Sequence, residues 1–132
     1  MLLLLVVLGA TTLVGLVWRA RQGRVRDAAP AAALSDVLVE LGVTPGARAT
    51  LVQFSSAFCA PCRATRALLT HVAAEEPGVV HVEVDAEAHL ELVRRLDVRT
   101  TPTTLVLDSR AVEVRRAHGP PSRAAVLAAL PS

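Results

Sequence analysis

The sequence predicts a small α/β protein: a central mixed β-sheet flanked by helices, preceded by one N-terminal transmembrane helix. Two observations predict this architecture. The first eighteen residues, MLLLLVVLGATTLVGLVW, contain no charged side chain. The remainder alternates short β-prone runs with segments of helical period. At 132 residues the chain has room for one core of ordinary size, so no second domain is expected.

The N-terminal run can just cross a bilayer. As a helix its eighteen residues would rise about 27 Å, close to the roughly 30 Å of hydrocarbon. A cleaved signal peptide would begin with basic residues and carry its small-residue cleavage site directly afterwards. Here the start has no basic side chain and the run ends at Trp18, an interfacial aromatic. Residues 1–18 are therefore predicted to be an uncleaved anchor.

Basic residues orient this anchor. Positive charge is retained on the cytoplasmic side of a membrane, so basic residues after the span predict a single-pass cell-membrane protein with its domain in the cytoplasm. The opposite orientation stays open. Residues 19–33 are rich in Arg, Ala, Gly and Pro and are interpreted as a basic juxtamembrane linker. The basic residues that follow the span are Arg19, Arg21, Arg24 and Arg26.

The charge and composition of the remaining chain predict no nucleic-acid partner. The formal net charge is +2, but residues 27–132 carry ten arginines against twelve acidic residues. Aromatic side chains for base stacking are also scarce, since that part of the chain has only Phe54 and Phe58. The basic composition therefore does not predict nucleic-acid binding.

The folded domain is predicted over residues 34–132, and its first elements are a helix and a strand. Apolar residues recur at helical spacing over residues 34–41, where Ser35 or Asp36 can cap the helix. A turn signal follows. Residues 49–54 then form a short apolar run that predicts a buried strand.

A second helix and strand come next. The helix begins near Cys59, and Pro61 is tolerated in its first turn. The run VVHVEV over residues 79–84 predicts a second buried strand, and residues 89–96 predict another helix. Because a helix connects them, the strands at residues 49–54 and 79–84 should pair in parallel.

The last elements are a hairpin and a helix. Two β-prone runs, residues 103–107 and 111–117, are separated by Asp108-Ser109-Arg110. So short a connection requires antiparallel pairing. Residues 124–130 predict a C-terminal helix.

The two cysteines, Cys59 and Cys62, stand at the junction between a strand and a helix. A disulfide across so small a loop would stabilise the fold little, so chemistry explains the pair better than a structural staple. A helix N-terminus favours the thiolate of Cys59, which becomes a nucleophile near neutral pH. Cys62, one turn further on, can reach the same sulfur and resolve a mixed disulfide.

On these and other residues the sequence resembles the thioredoxin family over residues 34–130. The resemblance implies a thioredoxin-like fold and thiol-disulfide exchange that reduces protein disulfides. It also implies a thioredoxin-reductase-type or membrane electron donor, and no bound cofactor besides the cysteine pair. The residues that carry the resemblance are Phe54, Phe58, C-A-P-C at residues 59–62, Val84-Asp85, Thr101-Pro102-Thr103 and Gly119.

The same resemblance implies a substrate-binding surface. The bond between Thr101 and Pro102 would be cis and face the disulfide, so that Thr101 grips the substrate backbone. Phe58, Ala60 and Pro61 would shape an apolar contact surface. Two departures concern this surface: Ala60 replaces the usual glycine, and Ser55 and Phe58 stand before the motif where the family usually has tryptophans.

A third departure lies beneath the cysteines. Gln53 stands where many thioredoxins bury an aspartate near the resolving cysteine, and His81 stands where they tend to place a lysine. Glutamine cannot be a general base, but it can hydrogen-bond a water or a thiol. The hypothesis is that Cys62 loses its proton through water with help from His81. A histidine that is merely satisfied or solvent-facing is the open alternative.

No metal site is predicted, because His71, His89 and His118 lack the companions at fixed spacing that a zinc site requires. Hydrolase functions have no support, because no phosphate-binding glycine loop, catalytic triad or paired-carboxylate motif appears. Two alternatives to a cytoplasmic reductant stay open. One is an exported disulfide oxidoreductase of the envelope, and the other is a non-catalytic thioredoxin-fold adaptor.

Overall fold

The computed structural model describes residues 1–21, 23–27 and 33–132. Its helices and strands follow the predicted order, with one additional strand near the N-terminus. In chain order they are α1 Leu2–Arg21, β1 Val25–Asp27, α2 Ser35–Glu40, β2 Ala49–Ser55, α3 Ala60–Glu75, β3 Val79–Asp85, α4 Leu90–Arg95, β4 Thr103–Asp108, β5 Glu113–His118 and α5 Arg123–Ala129.

The described strands form one mixed five-stranded sheet in the order β1-β5-β4-β2-β3. Strand β2 pairs in parallel with β3 and antiparallel with β4. Strand β5 is antiparallel to β4, and β1 is antiparallel to β5. The predicted parallel pair and the predicted hairpin are both confirmed.

Strand β2 divides the core into two layers. Its residues Val52 and Phe54 pack in a cluster with side chains of α2 and α4. The alternate residues Ala49 and Leu51 pack with side chains of α3 and α5. Successive side chains of a strand point to opposite faces, so a strand with helices on both sides is buried along its whole length. The predicted arrangement of a sheet flanked by helices is confirmed.

The pairing also defines the two ends of the sheet. Phe54 pairs with Thr103, and Thr103 pairs with His118. The end of β2, the start of β4 and the end of β5 therefore lie together, and we call this the cysteine end because Cys59 follows β2. The opposite end, where residues 109–112 connect β4 to β5, is called the hairpin end.

Two local expectations were wrong. Strand β3 was expected to be buried, but it lies at the edge of the sheet and is mostly half-buried. Helix α2 was expected to be capped by Ser35 or Asp36. Its N-cap is instead Leu34, which makes no side-chain capping bond. Sequence periodicity does not distinguish an edge strand from a central one, which explains the first error.

Strand β1 lies inside the segment that was predicted to be a linker. Its sequence, Val-Arg-Asp, is too short and too charged to carry a strand pattern. Backbone pairing defines it, with Val25 opposite Ala117 and Asp27 opposite Arg115. Residues 22 and 28–32 of the predicted linker lie outside the described residues. The domain boundaries given above stay predictions.

Helix α1 extends slightly beyond the predicted anchor, to Arg21. Its residues are exposed throughout. By length and composition alone, this helix can cross a membrane.

Candidate active site

The cysteine pair lies at the N-terminus of α3, as the spacing predicted. Cys59 is the N-cap residue, and Pro61 occupies the first helical turn. Cys59 and Cys62 form a disulfide, with their Cα atoms 5.2 Å apart. Cys59 is partly exposed, whereas Cys62 keeps only 2% of its surface. One sulfur-bearing residue can therefore be approached from solvent, and the other is covered by the fold.

The residues next to the accessible cysteine in the chain are apolar. Phe58 is fully exposed, and Ala60 and Pro61 are also exposed. A fully exposed phenylalanine contributes little to the core, so we expect its ring to contact a partner outside the domain. Phe58, Ala60 and Pro61 are thus exposed next to Cys59 in the chain, and their contact with substrate stays a prediction.

The loop before β4 lies at the same end of the sheet. The bond between Thr101 and Pro102 is cis, as the resemblance implied. The hydroxyl groups of Ser56 and Thr101 are hydrogen-bonded at 2.9 Å. The amide of Gly119 donates to the carbonyl oxygen of Pro102 at 2.8 Å, which joins the end of β5 to the same loop. Hydrogen bonds thus link the segment before Cys59, the loop before β4 and the end of β5.

Gln53 lies beneath the pair, fully buried in the centre of β2. Its Nε2 donates to the carbonyl oxygen of Cys62 at 2.9 Å and to the Oγ of Ser55 at 2.9 Å. Its Oε1 lies 3.0 Å from the Nε2 of His81. A carbonyl oxygen can only accept, so the amide orientation is set by Cys62. The structure places Gln53 against the backbone of Cys62.

This orientation assigns the tautomer of His81. Because Oε1 of Gln53 only accepts, Nε2 of His81 must carry hydrogen. The Nδ1 of the neutral ring then accepts from the hydroxyl of Thr70 at 3.2 Å. Burial lowers the pKa of His81 below its ordinary value; Glu83 opposes this effect and Arg66 adds to it. The neutral ring is favoured, and it contacts Gln53.

An ion pair that the sequence did not reveal borders this network. Arg66 of α3 contacts Glu83 of β3 through two nitrogens, at 2.5 and 2.9 Å. Burial acts to raise the pKa of Glu83, but hydrogen bonds from Arg66 and Ser55 lower it below its ordinary value. The two partners lie seventeen residues apart, on α3 and β3, so no local sequence pattern indicates this pair.

Arg66 and Glu83 line a cleft of about 260 Å³ beside the segment that leads to the cysteines. Because Glu83 neutralises Arg66, this arginine is not a free positive charge acting on Cys59. The residues that line the cleft are Ser55, Ser56, Ala57, Arg66, Glu83 and Asp85.

His71 and His89 have partners outside this network. His71 contacts Glu75 at 3.0 Å, and Nδ1 of His89 donates to the carbonyl oxygen of Asp85 at 3.0 Å. Within the described part of the chain, no three His, Cys, Asp or Glu side chains are grouped to hold a metal ion.

Comparison with known proteins decides the family, since the thioredoxin family model matches residues 39–131. The chain belongs to the thioredoxin family. It is 35% identical over 60 residues to thioredoxin H5 of Oryza sativa subsp. japonica, which is 46% of this chain and 44% of that protein. It is also 35% identical over 69 residues to thioredoxin C-3 of Corynebacterium nephridii, 52% of this chain and 47% of that one. The matches thus span under half of these thioredoxins.

Solved thioredoxin structures share the fold. Spinach chloroplast thioredoxin f superposes with a TM-score of 0.56 at 23% identity, covering 64% of this chain and 75% of that one. Schistosoma mansoni thioredoxin superposes with a TM-score of 0.58 at 21% identity, covering 71% and 86%. At such identities the likeness concerns the fold alone.

Proposed function

We propose that this thioredoxin-family protein is a membrane-tethered thiol-disulfide oxidoreductase that reduces protein disulfides. The observation that carries the proposal is the pairing of an accessible Cys59 with a buried Cys62 at the N-terminus of α3. That arrangement separates an attacking sulfur from a resolving one. The matches to thioredoxins support the same activity.

The reaction exchanges two electrons and proceeds in two steps. The thiolate of Cys59 attacks a substrate disulfide, forms a mixed disulfide and releases one substrate thiolate. Cys62, after losing its proton, attacks the sulfur of Cys59, which forms the Cys59–Cys62 disulfide and releases the second substrate thiolate. The substrate disulfide is reduced to two thiols and the protein dithiol is oxidised. The cysteines carry the electrons, so no bound cofactor or metal takes part.

The helix favours the first step and the buried network supports the second. Unpaired backbone N–H groups and the dipole at the start of α3 stabilise the thiolate of Cys59. Gln53 holds the backbone of Cys62 and is itself held by His81. Both residues act by positioning Cys62, since the one acceptor nitrogen of the neutral His81 ring, Nδ1, already accepts from Thr70.

The substrate polypeptide binds over the apolar surface around Cys59. Phe58, Ala60 and Pro61 contact substrate side chains, because all three are exposed beside the accessible cysteine. Thr101 and Pro102 contact the substrate backbone. Their loop is linked to the segment before Cys59 through Ser56.

Residues 1–18 anchor the protein to the cell membrane, and the domain faces the cytoplasm. The support is the long apolar helix and the arginines Arg19 and Arg21 in its last turn. Electrons come from a thioredoxin-reductase-type or membrane donor. Protease treatment of spheroplasts tests the orientation, because a cytoplasmic domain stays intact until the membrane is lysed.

Trapping with cysteine variants tests the activity. Cys62→Ser retains the attacking thiol and should accumulate mixed disulfides with substrate proteins, which a reducing agent releases. Cys59→Ser is the matched control and should trap none. If neither variant forms mixed disulfides, the domain is a binding module and the proposed activity is wrong.

The reduction potential tests the direction. A value of about −270 mV in graded thiol-disulfide buffers supports a reductant, whereas about −120 mV is typical of strong oxidants. The second outcome would replace the cytoplasmic reductant with an exported oxidant.

A further inference from the structure

We propose that the cysteine end of the sheet faces the membrane, and that the substrates are disulfides in juxtamembrane segments of membrane proteins. This inference rests on the proposed function, because it requires α1 to span the bilayer. It concerns the orientation of the domain, which the redox chemistry alone does not determine.

The chain leaves α1 and binds the domain almost at once. The amide of Gly23 donates to the carbonyl oxygen of His118 at 2.6 Å, and Gly23 is buried. Val25 then pairs with Ala117 as β1 begins. Since β5 ends at His118, the membrane helix is joined to the domain at the cysteine end.

The free reach between the helix and this docking point is small. Arg21, the last residue of α1, and Gly23 are two positions apart, so their Cα atoms are at most about 7 Å apart. A fifteen-residue linker, as predicted from residues 19–33, would let the domain turn freely. A connection this short keeps the docking point beside the bilayer surface.

The cysteines lie near that point, and the hairpin end is far from it. Strands β1 and β2 are three positions apart in the sheet, so the start of β1 is about 14 Å sideways from the end of β2. The strands β2, β4 and β5, of six or seven residues, extend about 20 Å towards the hairpin end. Cys59 is therefore held in the layer next to the membrane.

The surface at the cysteine end suits a partner in this layer. Phe58 presents a fully exposed ring beside Cys59, and Arg21 and Arg24 are exposed where the chain enters the domain. An apolar ring and arginines match the interfacial region of a bilayer with anionic headgroups. A juxtamembrane disulfide is presented in that same region, whereas a bulky soluble protein would have to enter between domain and bilayer.

Lipid quenching tests the orientation without using activity. The full-length protein with Cys59→Ser and Cys62→Ser is placed in anionic vesicles. It carries one fluorophore on a new cysteine, either Phe58→Cys at the cysteine end or Ser109→Cys, which is exposed at the hairpin end. Headgroup-bound quenchers should quench the first probe more strongly. Equal quenching, or stronger quenching at position 109, overturns the inference.

Flotation of the same vesicles separates the two proposals. A chain that does not float with lipid lacks the anchor, which overturns the proposed tethering and the inference together. A chain that floats but shows no quenching difference overturns the inference alone.

A glycine substitution tests the docking and the substrate class. A Cβ at Gly23 would lie 2.1 Å from the carbonyl oxygen of Pro120, so Gly23→Ala should detach β1. Gly42→Ala is the matched control, because Gly42 also has positive φ but no atom within 4 Å of a new Cβ. Two probes are compared: a transmembrane peptide with a disulfide-linked dye next to the bilayer, and the same disulfide on a soluble peptide.

With dithiothreitol as electron source, Gly23→Ala should reduce the membrane-bound disulfide about tenfold more slowly and the soluble one at the normal rate. The normal rate on the soluble probe shows that the variant is folded. Gly42→Ala should behave as wild type on both probes. If Gly23→Ala keeps the full rate on the membrane-bound probe, or loses both rates equally, docking does not direct the domain to juxtamembrane disulfides.

Discussion

The side chain of Gln53 donates a hydrogen bond to the carbonyl oxygen of Cys62 at 2.9 Å. This bond joins the centre of the sheet to the first turn of α3. Both of its residues are buried, with Gln53 at 0% and Cys62 at 2% exposure. The resemblance to thioredoxins implied a buried carboxylate at this position, whereas this chain buries an amide that cannot ionise.

Removing the Gln53 amide should destabilise the fold. Gln53→Leu keeps the volume but leaves the carbonyl of Cys62 and the N–H of His81 without their partner, so we expect a loss of about 1–3 kcal/mol in the free energy of unfolding. Thr104→Val is the control. Thr104 lies opposite Gln53, and its buried hydroxyl has no partner among the described residues, so this change should be neutral. Urea unfolding of the oxidised proteins measures both, and equal effects would contradict the assigned role.

Stability should depend on pH through His81. Burial lowers the pKa of His81 in the folded state, so the unfolded state binds the proton more readily. The contribution of the neutral ring is complete above the unfolded pKa of about 6.5 and is lost as pH falls through the lower folded value. His81→Gln keeps a donor for Gln53 but cannot titrate in this range. The difference in the free energy of unfolding between the wild type and His81→Gln should therefore be smaller at acidic pH than at neutral pH. Urea unfolding at both pH values measures it. A constant difference would show that the ring is not held neutral.

Two ion pairs of the same sequence spacing should differ in their contribution to stability. Glu113 and Arg116 are paired at 2.6 Å with side-chain exposures of 6% and 18%, and the Arg116 guanidinium also donates to the carbonyl oxygen of Leu96. Glu113→Gln leaves this arginine charged and partly buried, so we expect a loss of about 2 kcal/mol. The pair of Glu91 and Arg94 is exposed at 90% and 71%, and Glu91→Gln should change stability by less than about 0.5 kcal/mol. Thermal unfolding compares the two variants, and equal shifts would contradict this difference.

The two phenylalanines should separate stability from substrate binding. Phe54 is fully buried, and Phe54→Ala should cost about 3–5 kcal/mol. Phe58 is fully exposed, so Phe58→Ala should change stability by less than about 0.5 kcal/mol. In a disulfide-reduction assay, Phe58→Ala should raise KM several-fold and leave kcat nearly unchanged, because it removes binding surface without touching the sulfurs. An unchanged KM would remove Phe58 from the substrate surface.

Local patterns predicted most of the fold. The helices and strands follow short-range periodicity, so their positions in the structure differ from prediction mainly by one or two residues at the ends. The exception is β1, whose three residues become a strand only because β5 supplies an edge for their backbone groups. A segment without its own pattern cannot reveal such pairing in advance.

For the site, sequence and structure contribute at different levels. The spacing of Cys59 and Cys62 depends only on neighbouring positions, and so does the motif at Thr101-Pro102. The contact of Gln53 with Cys62 depends on how α3 packs on the sheet. The pair of Arg66 and Glu83 likewise depends on how α3 packs against β3.

The sequence by itself determined that this protein has an apolar helix long enough for a membrane, a small α/β domain and a cysteine pair at a helix start. These features are local, because helix period, strand alternation and motif spacing are set by residues close together in the chain. The tertiary structure decided what Gln53 holds, which tautomer His81 adopts and where the chain after α1 docks. These contacts join residues far apart in sequence, and their partners are known only once strand order and helix packing bring them together.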